Sequence, residues 1–191
     1  MRFASRLSFS LLITLSIVVA TVTTTLGQGL PVNSGVTANA QAEIDSIQNQ
    51  GAKLEATKNW RAALRLYERA ARNYPQQPTI AARYQISRSH VDIARRYHDA
   101  SYLYSIKQMD SMASQAIYRE VLGKIETYYF SELNWQQILK SGIDQLEVAL
   151  HDELFRGHHG LTVSDIDLQQ YRNSVARILA NRGCRNARDV L

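Results

Sequence analysis

His158 and His159 lie between Gly157 and Gly160, with His151, Asp152 and Glu153 just upstream, the densest grouping of side chains suited to hold a metal or move a proton. A helical zinc site needs two histidines four residues apart, so that both rings face one ion. Adjacent histidines project in different directions, so this spacing reads as a solvated His-His loop, and no metal is expected. His90 and His98 flank Arg95-Arg96 and read as surface residues on helix-joining turns. Asp165 and Asp167 fall in the first turn of a helix, where carboxylates complement the positive end of its dipole. That role accounts for them without an acid-base pair, which would need a cleft. Cys184 is the single cysteine and cannot close an internal disulfide. Arg182, Arg185 and Arg188 flank it and would favour its thiolate, but its place just past a helix end fits a small structural residue better. No Gly-x-Ser-x-Gly elbow and no phosphate-cradling glycine loop occurs. Neither a catalytic residue nor a cofactor is expected.

The elements that would carry these groups read as helix after helix. Proline and glycine are scarce, at 3 and 9, and apolar residues recur at three and four positions. Helices are expected over 42–57 (Ile44, Ile47, Leu54), 60–73 (Ala63, Leu64, Leu66, Tyr67, Ala70), 79–95, 97–109 and 111–129 (Ile117, Val121, Ile125, Tyr128). The Tyr74-Pro75-Gln-Gln-Pro78 stretch stops the second of these, because a residue before proline is pushed out of the α region. Asn134 with Gln137 marks a cap for a sixth helix, whose stripe is Trp135, Leu139, Ile143, Leu146 and Leu150. Gly157–Gly160 breaks the chain. Ser164 with Asp167 then opens a last helix carrying Leu168, Tyr171, Val175, Ile178 and Leu179, and Gly183 stops it. Residues 183–191 read as a basic, frayed tail. Of the ten tyrosines, 67, 97, 104, 128 and 171 fall on buried stripes, while 84, 102, 118 and 129 read as partly exposed. The fold class is therefore all-α, with no sheet of three or more strands.

Within this ladder two stretches nearly repeat, Trp60-Arg-Ala-Ala63-Leu-Arg-Leu66-Tyr67 and Tyr97-His-Asp-Ala100-Ser-Tyr-Leu103-Tyr104. Their spacing of about 37 residues lies in the range of helical repeat arrays. With Ala70 and Pro75, the first copy resembles the second helix of a tetratricopeptide repeat, in which a small residue lets two helices approach and an aromatic fills the gap. The likeness covers residues of about 44–109. The second copy departs from the pattern, with Lys107 where a small residue belongs and Arg88 at or beside another such position. The resemblance implies helical hairpins that hold a protein or peptide partner in a groove lined by the first helix of each pair. In that register Gln48, Glu55, Gln85, Ser89 and Asp92 face the groove.

A second stretch, Val121-Leu-Gly-Lys-Ile125-Glu-Thr-Tyr-Tyr129-Phe followed by Trp135-Gln-Gln-Ile-Leu139 and Gly142-Ile143-Asp-Gln-Leu146, resembles the helical segment opening the carboxyl-terminal processing peptidases. The likeness spans residues of about 117–155. Their closing Leu-Asp-Pro-His-Ser motif is replaced here by Leu150-His-Asp-Glu-Leu-Phe155, and no catalytic residue carries over. This implies a non-catalytic or truncated portion of such a peptidase system as the alternative to a repeat adaptor.

The address is read from the first residues. Arg2 and Arg6 precede an uncharged run from Leu7 to Leu26, and Ala38-Asn39-Ala40 offers small residues at the positions a signal peptidase reads. The reading is an exported chain, periplasmic or secreted, with a cut after Ala40 or an earlier one after Gly27. An uncleaved membrane anchor over 7–26 is the rival, since about 20 uncharged residues just span a bilayer. Without Arg2 and Arg6 the formal net charge of +5 falls to +3, and the basic residues are scattered. Nucleic-acid binding needs a concentrated basic face, so it is not expected. The chain thus divides into a targeting segment and linker (1–40), tetratricopeptide-like pairs (41–110), a three-helix extension (111–182) and a tail (183–191).

Overall fold

The computed structural model describes residues 38–130, 132–181 and 183–190, and every regular element among them is an α-helix. The targeting residues Arg2 and Arg6, the uncharged run 7–26 and linker residues 27–37 lie outside the described residues, whereas residues 38–40, expected to belong to the linker, open the first helix, Ala38–Ala56. No helix among the described residues is long and apolar enough to cross a membrane. The described residues form two compact units, 38–91 and 92–190. The division falls inside a helix, whereas the sequence reading set its boundary at 110.

In the first unit, α1 (Ala38–Ala56) and α2 (Trp60–Asn73) form a hairpin. The turn between them needs one residue in the left-handed region, taken by Lys58 at φ 54°, and Asn59 caps α2 by accepting from the Ala62 amide. Ala63, at 0% exposure, Tyr67 and Ala70 form the buried stripe of α2. Beneath Tyr67 lies Gly51 of α1, where a Cβ would sit 2.0 Å from the tyrosine hydroxyl oxygen. The close approach thus depends on a glycine in α1 as well as on Ala63. Pro78 takes the first position of α3 (Pro78–Tyr97), where its missing amide hydrogen leaves no bond unmade. Ile44, Ala70 and Ile80 close a small core between the three helices.

The second unit holds the end of α3, then α4 (Ala100–Gln108), α5 (Ser111–Tyr128), α6 (Trp135–His151), α7 (Glu153–His159), α8 (Asp165–Asn181) and α9 (Ala187–Val190). Short polar side chains begin α4 to α7. Asp99, Asp110, Asn134 and Asp152 each accept from one or more first-turn amides. Ser164 and Asp167 reciprocate at the start of α8, amide to side chain in both directions, as the capping pattern requires. One cluster joins Ile93 and Tyr97 of α3 to Leu146, Ala149 and Leu150 of α6, Phe155 of α7 and Leu168 of α8. Another joins Leu122 of α5, Trp135 of α6, and Ala187 and Val190 of α9.

Four expectations are corrected. Tyr97 ends α3 and does not begin the following helix, because Asp99 supplies the cap and α4 starts at Ala100. The buried face of α5 is Ser114 and Leu122, with Tyr118 and Ile125 beside them, while Ile117, Val121 and Tyr128 are exposed. Two apolar stripes lie side by side on this helix, and Trp135 and α9 cover the one with the smaller residue at its head. Tyr104 is also exposed, against the expectation of burial. Residues 184–190 pack against the helices, although a frayed tail was expected. The Ala187 amide donates to the Glu126 carboxylate of α5, the Cys184 amide donates to the Gln136 side chain of α6, and both Ala187 and Val190 are buried.

Candidate partner-binding site

The proposed groove residues start from α1. Its Gln48 amide donates to the Thr79 hydroxyl of α3 at 3.0 Å. Two turns on, the Glu55 carboxylate accepts from the Tyr67 hydroxyl of α2 at 2.8 Å and pairs with Arg83 of α3 at 2.9 Å. Glu55 thus ties three helices together, and its side chain is 13% exposed while that of Arg83 is 52% exposed. Burial, with the neighbouring carboxylate as a second cause, raises the Tyr67 phenol well above its ordinary range. It remains a neutral donor throughout the physiological range.

On α3, Gln85 is exposed, and the Ser89 hydroxyl donates back to the Gln85 carbonyl at 3.0 Å. Asp92 pairs with Arg95 at 3.4 Å and belongs to the second unit. Within the first unit the structure therefore brings Gln48 and Glu55 against α3 through their own hydrogen bonds. It leaves Gln85 as the side chain most open to solvent among the four groove positions there. Sequence reasoning missed Thr79, which accepts from Gln48, and Arg83, which donates to Glu55. No spacing signal marks them, because both partners come from another helix.

His90 is a further correction. It lies inside α3 at 8% exposure, its ring stacked on Trp60 of α2 with centroids 3.7 Å apart and planes 8° from parallel. Ser87, one turn earlier, is fully buried, and its hydroxyl finds no hydrogen-bond partner. His98 stands on the turn after α3, as expected, and bonds the Ala94 carbonyl through its ring.

The His-His segment is helical and not a solvated loop. His158 and His159 end α7, and Gly160 closes it in the left-handed conformation at φ 59°. His159 is half-buried, with Nε2 2.5 Å from the Tyr97 hydroxyl. Burial, and secondarily His158, depresses its pKa. Asp167 is held low by the Ser164 hydroxyl and amide, a capping effect. Among the described residues, no three His, Cys, Asp or Glu side chains gather as a metal site would require. Cys184 is half-buried beside the Asp189 carbonyl.

No protein-family pattern, no curated protein and no solved structure matches this chain. Function must be argued from the residues themselves.

Proposed function

We propose that the chain is an exported, non-catalytic helical-repeat protein that holds a protein or peptide partner as a scaffold or adaptor. The observation that carries this reading is the Glu55 bridge. α1 and α3 lie side by side through Gln48–Thr79 and Glu55–Arg83, with α2 packed across Ala63, Tyr67 and Gly51. Two neighbouring helices with a third behind them is the arrangement by which a tetratricopeptide-like array offers one face to a ligand. Such faces act through several polar contacts and a few apolar ones, so micromolar binding, near −8 kcal/mol, is the expected strength.

The geometry also decides where to test it. Reversing charge at Glu55 would break an internal bridge and confound binding with folding, whereas Gln85 is exposed. Tagged chain recovered from its own cells should retain a partner, and Gln85→Arg should weaken that retention with the thermal melt unchanged. Equal retention by the variant would move the binding surface off α3. Reproducible cleavage of an unfolded protein by the purified chain would overturn the non-catalytic reading.

A second reading is favoured by the uncovered residues of α5 and the segment after it, including Tyr128 at 80% and Phe130 at 96% exposure. They fall in the stretch that resembles the opening helices of processing peptidases, and apolar side chains left uncovered there suit contact with a further part of such a system. A reading frame running on past Leu191 into a β-rich sequence with a serine nucleophile would support it.

A further inference from the structure

The second unit contains a helix too short to stand alone, fastened by a titratable ring. α7 has seven residues, and an isolated helix of that length is unstable in water. Phe155 is its one buried anchor. One turn later, on the same side, His159 lies 4.6 Å from the Phe155 ring and meets Tyr97 edge-on at 5.6 Å. His158 leans on the same tyrosine at 5.1 Å. Tyr97 is buried, so its phenol stays protonated, and its hydroxyl oxygen lies 2.5 Å from His159 Nε2. A phenol donating there takes the neutral imidazole with its hydrogen on Nδ1.

We propose that α7 is an acid-operated latch, in which protonation of His159 loosens the stretch Glu153–Gly160 from Tyr97 while the rest of the second unit stays folded. The ionisable groups on the elements meeting here are His158, Arg156 and Glu153 of α7, Asp152 at its start, Arg96 and Tyr97 of α3, and Tyr102 of α4. A cation at a helix C-terminus is ordinarily favoured by the dipole. Two turns of helix develop little of that, and half-burial among rings with His158 alongside opposes it. The net direction is a folded pKa below the unfolded value of 6.5. The sign follows directly. Stability from the neutral ring is complete above pH 6.5 and is lost as pH falls from there toward the folded pKa.

Hydrogen exchange of the full chain at pH 7.5 and pH 5, corrected for intrinsic rates, tests the latch. Protection of the amides of residues 154–160 should fall about tenfold for each unit by which the His159 pKa lies below its unfolded value, while amides of α5 keep theirs. His159→Phe keeps a ring on Tyr97 and should remove this acid sensitivity. Because that variant is open to misfolding, the ring proton of His159 in the unaltered protein is titrated by NMR as well. A midpoint below 6.5 supports the latch. A midpoint at or above 6.5, or equal α7 protection at the two pH values, overturns it.

Discussion

Gly51→Ala is expected to destabilise the first unit by about 1–3 kcal/mol, net of any gain in helix propensity. Alanine is ordinarily the better helix residue by about 0.5–1 kcal/mol. Here the new Cβ would stand 2.0 Å from the Tyr67 hydroxyl oxygen and 2.3 Å from the ring carbon bearing it. Tyr67 cannot swing aside cheaply, since it is buried and its hydroxyl is held by Glu55. Overpacking of this kind costs about 1–3 kcal/mol where the surroundings can shift and more where they cannot. Gly123 of α5 provides the control, because no atom lies within 4 Å of its would-be Cβ. Gly123→Ala should stabilise by about 0.5–1 kcal/mol. The two substitutions should therefore move the thermal midpoint in opposite directions. A Gly51→Ala melt at or above that of the unaltered protein would show that α1 and α2 do not meet at Tyr67.

Leu122→Ala is expected to cost about 2–5 kcal/mol, the range for removing a buried leucine, and Val121→Ala less than about 0.5 kcal/mol. Leu122 is at 0% exposure, packed with Trp135, Ala187 and Val190. Val121 precedes it by one residue, about 100° around the helix, and is open to solvent. Urea unfolding of the two variants reads the rotation of α5 directly. Equal losses, or a larger loss at Val121, would return the helix to the face carrying Ile117, Val121 and Tyr128.

Much of the architecture was legible because local chemistry decides it. Asn59, Asn134, and Ser164 with Asp167 mark helix starts by side-chain bonds reaching only two or three residues. The bounds expected for α2 coincide with those found; Tyr74-Pro75 signals the stop, and in the structure Asn59 caps the start. The face buried by α5 was not legible. The expected stripe, Ile117-Val121-Ile125-Tyr128, and the one found, Tyr118-Leu122-Ile125, share Ile125 and are comparably apolar, and the choice is made by Trp135 and by α9, far along the chain. Tyr97 resembles Trp60 in its neighbours but not in its place, because Asp99 caps the helix that follows and leaves Tyr97 at the end of the preceding one. The groove residues were named from a repeat register that says which way a side chain points. It does not say that Gln48 and Glu55 spend their hydrogen bonds on Thr79 and Arg83. Periodicity also has no sight of ring-on-ring contacts such as Trp60 with His90, or Tyr97 with His159, because their partners come from different helices.

The Glu55 carboxylate has a consequence for how this sequence is free to drift. Its two oxygens serve two separate donors, Tyr67 on one helix and Arg83 on another. A change at any one of these three positions alters what the other two are worth, so their effects do not add. Losing the acid strands the buried phenol, while the half-exposed guanidinium turns to water; losing either donor leaves the acid half-served. Positions 55, 67 and 83 therefore form one energetically coupled set, and Gly51 joins them because the phenol rests above it.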